Sequence, residues 1–540
     1  MKKYLPLPAL AVLWLAVGSM AGGRGVAADE LPLRLAWNYA GFARVEQATN
    51  AILLRKALAQ PATQKLLKRV ADRLSTAPER LAAQCLVKPS AALAPALRGM
   101  VVDLARQPSR GEWRGAGTTG WGECAVILQA DAATAKRWEQ AWAKLVEAFG
   151  AEPPAAVKSK LGALQVARWA KGVMASACVR TPQGVGVAVG RDPAALLEGL
   201  TVRQNPLDER TWLTLRSDPA VVLGQPDLPR VEVSVAGYKK RVRALALLRF
   251  ARPLSLSLDA WRIPTNIVRE PLISFAAARG VAPVLDRIPW IRSLGLAPLP
   301  NQMFAWALGI HPSQNYLAFP NPDPSATLQK IYPALRAEFS RRFSFLKAAK
   351  LVYVPQENRI TITNLTMAAA FLMAVPEQAP GFLVGGFSLP LYLRGKPAPP
   401  ALFQQVTDKP RLIYYHWELT QPRVEMLWHA FNYWNIVHAY LPPKKDGAVA
   451  SWLRDKGLAS CLGNTVTQAT LESPTEIRVV RSAAVGFTAY ELIRLARWLD
   501  GKDFPLASRP VTVVEQMRER HKKASAKGKR PAPKKSPGRR

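Results

Sequence analysis

The chain has 540 residues, of which 49% are hydrophobic and 21% charged, with 74 Lys and Arg against 38 Asp and Glu for a formal net charge of +36. That apolar fraction excludes a wholly disordered chain, and the length exceeds the roughly 250–300 residues that one core serves, so two or more packed lobes are expected. A body of this sign is drawn to anionic surfaces, through an attraction that weakens with salt.

The N-terminus has the order of an export leader. Lys2 and Lys3 precede an apolar run over residues 5–17, and Val26, Ala27 and Ala28 place small residues before Asp29, as a cleavable signal peptide requires. The run is shorter than the roughly 20 residues that span a bilayer. Residues 1–28 are therefore expected to be removed, leaving an extracytoplasmic (periplasmic or secreted) protein from Asp29. The cysteines, Cys85, Cys124, Cys178 and Cys461, then meet an oxidising compartment and allow three pairings. Cys124 and Cys178 lie in strand-like runs, 123–130 and 173–180. As sheet neighbours they would bridge; otherwise they serve as small apolar core residues.

Residues 115–120 match G-x-G-x-x-G, but a strand-like run follows where a dinucleotide loop needs a helix N-terminus. A glycine-rich turn is expected, and no cofactor. The strand ending at Ala130 leads to Asp131 as N-cap of a helix burying Trp138, Trp142, Leu145 and Phe149, with Gly150 beyond its end. Strands near 163–170 and 173–180 follow, and Gly184–Gly190 continues the pattern. Residues 228–264 alternate as long antiparallel strands with one wet face. A second unit of the same kind begins with a strand at 315–319. Asp323 and Pro324 then start a helix with Leu328, Ile331, Leu335, Phe339 and Phe343 on one face, which Pro333 should kink or split. Strands at Lys350–Val354 and 359–364 follow. The fold class expected is α+β, two or more lobes of β-α-β-β type with mostly antiparallel sheets, related by duplication or by chance recurrence. The lobes are placed at 29–300, with central antiparallel strands, and at 301–510, with residues 390–400 as a Pro-rich linker or connection.

The second lobe ends in a helix whose start carries a capping box, Thr488 with Glu491, and whose end is Gly501. Beyond it, 511–540 is a disordered basic tail. From Arg518 to Arg540 its cations are Arg518, Arg520, Lys522, Lys523, Lys527, Lys529, Arg530, Lys534, Lys535, Arg539 and Arg540, against the single Glu519. They form a candidate electrostatic tether.

His416, His429 and His438, with Glu418 and Glu425, have the chemistry of a metal hydrolase. In a helix starting at Thr420 and burying Val424, Leu427, Trp428 and Phe431, however, His429 and His438 point to opposite sides. No metal site is expected. Alternation over Leu412–Leu419 puts Tyr414, His416 and Glu418 on one face and Tyr415, Trp417 and Leu419 on the other. The face of Tyr414, His416 and Glu418 is the candidate groove. The function expected is non-enzymatic binding or scaffolding of an anionic envelope polymer or membrane surface, ahead of nucleic acid. The alternatives are an extracytoplasmic hydrolase using His416, Glu418 and His429, and a lipid carrier.

Overall fold

The computed structural model describes residues 31–76, 93–115, 122–169, 174–202, 207–223, 225–309, 311, 314–343, 349–364, 370–387, 395–439, 448–501 and 504. The expected leader, the basic tail and Cys85 lie outside these residues, as do residues 390–394 of the Pro-rich stretch. Internal packing divides the chain into two units, the first made of 1–258, 408–424 and 447–507, the second of 259–407, 425–446 and 508–540.

The first unit opens with strand β1 (Leu33–Tyr39), helices α1 (Phe42–Gln47), α2 (Ile52–Ala59), α3 (Pro61–Ser75) and α4 (Leu93–Arg106), and strands β2 (Ser109–Gly115) and β3 (Gly122–Gln129). Helix α5 (Ala132–Ala148) leads to a meander, β4 (Ala155–Ser159), β5 (Gly162–Arg168), β6 (Ala175–Thr181) and β7 (Gly184–Gly190). Then come α6 (Pro193–Val202), β8 (Thr211–Ser217), α7 (Pro219–Leu223), β9 (Arg230–Tyr238) and β10 (Arg241–Arg249). The second unit contains β11 (Leu272–Arg279), α8 (Ala282–Asp286), α9 (Pro289–Arg292), β12 (Gln302–Leu308), β13 (Asn315–Pro320) and α10 (Pro324–Arg342). It continues with β14 (Lys350–Val354), β15 (Arg359–Thr363), β16 (Phe371–Ala374), β17 (Phe382–Gly386) and α11 (Pro400–Thr407). The chain returns to the first unit with β18 (Leu412–Leu419) and the start of α12 (Thr420–Ala439), then α13 (Ala448–Leu453), α14 (Lys456–Ala459), β19 (Asn464–Ser473), β20 (Glu476–Ala483) and α15 (Ala489–Asp500). The fold is α+β, and the strand pairs within each unit are antiparallel.

In the first unit the strands run β4–β5–β6–β7–β3–β2–β1–β8–β9–β10–β20–β19–β18. Helix α5 forms where expected: Asp131 accepts the Thr134 N–H at 2.7 Å, satisfying an amide that the first turn leaves unpaired. Trp138, Trp142 and Leu145 are buried on its inner face. The indole of Trp142 donates to Ser176 Oγ at 2.8 Å, and that hydroxyl donates to the Ala188 carbonyl at 2.9 Å. A large apolar ring thus enters the core with its polar edge satisfied. Cys124 and Cys178 are buried thiols and their strands are not neighbours. Strand β7 lies between, with Val189 opposite Cys124 and Val187 opposite Cys178. Two strand spacings amount to about 9.6 Å, beyond the roughly 7 Å limit for Cα atoms in a disulfide, so the bridge between them is excluded.

In the second unit the order is β11–β12–β13–β17–β16–β15–β14. Asp323 caps α10 by accepting the Ala326 N–H at 3.0 Å. Leu328 and Ile331 of that helix pack with Ile360, Ala374 and Leu383. Pro333 does not split α10. It sits on the exposed side, where the Gln329 carbonyl that loses its partner also belongs to an exposed residue and is open to water. The β pattern expected through 264 stops earlier, at Arg249, and Pro397 pairs with Arg269 as an isolated bridge.

Candidate functional site

The expected strand over Leu412–Leu419 is β18, and it brings the three candidate side chains together in a row, with His416 between Tyr414 and Glu418. The Tyr414 and His416 rings stack with centroids 6.4 Å apart at 24°, and His416 Nε2 lies 3.6 Å from Glu418 Oε2. Burial grades along the strand rather than dividing by face: Tyr414 is 38% exposed, His416 half-buried and Glu418 only 2% exposed, while on the other face Tyr415 is buried and Leu419 is 37% exposed. The expectation of one buried face and one open face gives way to a gradient that deepens on one side of the strand towards the Glu418 end.

Antiparallel register supplies the neighbours. His416 stands opposite Thr467 of β19, which stands opposite Arg481 of β20; Glu418 stands opposite Thr465, and Thr465 opposite Ala483. Four residues beyond β20's end, Phe487 hands over to the cap of α15. The capping box forms as expected: Glu491 N–H donates to Thr488 Oγ1 at 3.3 Å and Thr488 N–H donates to Glu491 Oε2 at 3.0 Å. Glu418 adds a third acceptor at this helix start, taking the Ala489 N–H at 2.7 Å and the Thr420 hydroxyl at 3.2 Å on Oε1. A carboxylate here also meets the positive end of the helix dipole. Arg481 donates to Glu491 Oε2 at 2.7 Å and to Thr467 Oγ1 at 3.0 Å, closing a network in which β18, β19, β20 and α15 each contribute.

The electrostatics follow from burial. Burial raises the Glu418 carboxyl above its usual range, against the lowering pull of the Ala489 N–H, Arg423 and the Thr420 hydroxyl. Burial also lowers His416 to about 4, helped by the Arg423 and Arg481 guanidinium groups and opposed by Glu491. Arg423, at the start of α12, is pulled down to about 10 by burial, with Glu418 opposing. At neutral pH the imidazole is uncharged. The arrangement can hold a helix start against three strands and take up a proton only in acid.

The helix beginning at Thr420 buries Val424, Met426 and Trp428, while Leu427 is half-buried, and His429 is exposed in the residues of the second unit; the side chain of Phe431 lies outside the described residues. The side chain of His438 lies outside the described residues. Among the described residues no three His, Cys, Asp or Glu side chains group so as to hold a metal ion. Gly115 pairs with Gly122 across the β2–β3 hairpin, so a strand rather than a helix follows the glycine motif. No described helix is long and apolar enough to cross a membrane. Arg423, Arg481 and Thr467 were missed by sequence reasoning. Arg481 carried a signal, since it falls on the inward beat of Ile477, Val479 and Arg481, where an apolar residue is expected. No protein-family model, curated protein or solved structure matches the chain.

Proposed function

We propose that the protein is exported and binds or scaffolds an anionic polymer of the cell envelope, without enzymatic chemistry. The observation that carries this is the location of the charge. The eleven tail cations less Glu519 account for ten of the formal +36, and 36 − 10 leaves +26 on the rest of the chain. Excess charge of one sign spread over a folded body raises the local concentration of polyanions and speeds encounter. The network around His416 supports the same reading, because Glu418, Glu491 and Arg481 are each engaged in holding α15. The tail from Arg518 to Arg540 acts as a tether: it lacks the apolar side chains that would offset roughly 1–2 kcal/mol per residue of ordering.

The proposal extends to architecture, two lobes built on one β-α-β-β-type unit by duplication. Two orders support it. The strands β1–β2–β3–β7–β6–β5–β4 and β11–β12–β13–β17–β16–β15–β14 follow one plan, each with a helix after the third strand in sequence. Asp131 and Asp323 cap those two helices alike.

Deleting Lys522 to Arg540 tests the function. Binding to long-chain polyphosphate should weaken and its salt dependence flatten, with the thermal midpoint unchanged. Full-length protein that fails to bind any polyanion at low salt would refute the proposal.

A further inference from the structure

Building on that function, we propose that the tip of the β9–β10 hairpin is where the folded body grips the phosphate groups of its polymer. The tip is Tyr238-Lys239-Lys240-Arg241, closed by the pairing of Tyr238 with Arg241. Lys239 has φ +55°, a conformation for which hairpin turns ordinarily recruit Gly or Asn. A lysine thus stands, exposed to solvent, where the backbone disfavours it. Lys239, Lys240 and Arg243 are exposed, and Tyr238 is 47% exposed between two cations, with Lys239 Nζ and Arg243 Cζ each 5.5 Å from its ring centroid. The ring thus spaces two like charges that would otherwise separate.

Away from the tip, the arginines of β8, β9, β10 and β20 sit in ion pairs. Arg216 pairs with Glu232 at 3.2 Å, Arg249 with Glu232 and Glu476 at 2.9 Å each, Arg478 with Glu472 at 2.7 Å, and Arg230 with Asp218 at 3.1 Å. Among the described residues no carboxylate lies within ion-pair distance of Lys239, Lys240 or Arg243. The β19–β20 hairpin, which turns through Ser473, Pro474, Thr475 and Glu476, carries no cation at its tip. The basic tip is also held in place: the Ala51 N–H donates to the Lys239 carbonyl at 3.0 Å and Asn50 Nδ2 to the Gly237 carbonyl at 3.1 Å. Three unneutralised cations on a fixed turn match a chain of phosphates, each of which offers charged acceptors to ammonium and guanidinium donors. Arg241 is not part of the grip, since it donates to Asn464 Oδ1 at 2.7 Å.

The test compares full-length protein with the triple variant Lys239→Gly, Lys240→Ser, Arg243→Ser, using long-chain inorganic polyphosphate as probe. Glycine suits the positive φ, so the thermal midpoint should hold or rise while affinity at low salt falls about tenfold or more. The slope of log affinity against log salt should become shallower by about 2, from three charges at roughly 0.7 each. Tyr238→Ser should weaken binding several-fold with the fold intact. Wild-type binding with unchanged affinity and slope in the triple variant would overturn the hairpin assignment and leave the polymer-binding proposal standing. Absence of wild-type binding would overturn both. A preference for phosphatidylglycerol vesicles over polyphosphate, lost in the triple variant, would overturn the assignment to a polymer.

Discussion

Two three-stranded pieces of the first unit, β8–β9–β10 and β18–β19–β20, share a pairing pattern and differ in chemistry. Both pairings that start them carry a register shift at the same place, between Thr211 and Leu213 in β8 and between Leu412 and Tyr414 in β18. After the shift, the rows are Leu213–Val235–Ala244 and Leu215–Val233–Ala246 in one, and Tyr414–Ala469–Val479 and His416–Thr467–Arg481 in the other. The third rows end at Ser217 and Glu418. Leu, Val and Ala satisfy this register in one piece, so the pairing of the strands does not call for His, Thr and Arg in the other. What calls for the polar side chains is the helix start that ends on the second piece: Glu418 accepts the Ala489 N–H, and Arg481, which also donates to Thr467 Oγ1, holds the Glu491 carboxylate of the cap.

The contrast breaks most easily at Glu418. Glu418→Ala removes the acceptor of the Ala489 N–H in a buried setting and should cost about 2–3 kcal/mol, by the penalty of an orphaned buried donor. Ser217→Ala, at the matching place, loses only a hydroxyl donating to the Arg34 carbonyl at 3.0 Å and should cost about 1 kcal/mol or less. Urea unfolding of the two variants decides; equal losses would mean that the polar row does not anchor the helix.

Acid should sharpen the same difference. The His416 imidazole titrates near 4 in the folded protein against an ordinary 6.5. A base with a lowered folded pKa takes up its proton more readily when unfolded. Its contribution to stability is therefore complete above about pH 6.5 and is lost as pH falls towards 4. Glu418, raised in the fold, acts in the opposite sense, its contribution being present in acid and declining above its unfolded value. The groups facing the imidazole are Tyr414, Glu418, Arg423, Arg481 and Glu491. His416→Gln should flatten the decline between pH 6.5 and 4, by up to a few kcal/mol at the acid end from the size of the shift. Parallel stability curves for variant and wild type would refute the assignment.

A smaller effect is expected at Thr488, whose replacement by Ala removes the hydroxyl that accepts the Glu491 N–H and should cost about 1 kcal/mol. Hydrogen exchange confined to α15 would register it even where the global midpoint barely moves. Least of all should change with Val233→Thr, which copies the Thr467 side chain into the apolar row. Val233 is half-buried, so a loss of under about 1.5 kcal/mol is expected in thermal unfolding.

Local features were legible in the sequence where a short stretch decides them. The bounds of Gly184–Gly190, Lys350–Val354 and Leu412–Leu419 follow from alternation flanked by turn residues, and the three caps at Asp131, Asp323 and Thr488 follow from a polar residue ahead of an apolar stripe. Pairing is set by residues far apart. Nothing near Cys124 announces that β7 will come between it and Cys178, and nothing near His416 announces Arg481. Helices α1 to α4 went unread because their apolar residues are interleaved with Ala, which suits either a core or a surface.

The pairing of β10 with β20 has a consequence for synthesis. Arg241 and Ser482, at one end of it, are 241 residues apart in the chain. At roughly 5–20 residues per second, the ribosome leaves the outer edge of β10 waiting about 10–50 s for its partner. Through that interval a strand reading Ala-Leu-Ala-Leu-Leu at its centre exposes unpaired backbone to other nascent chains. Arg241, Arg243 and Arg249 sit around that apolar run, where charge discourages such encounters until β20 arrives.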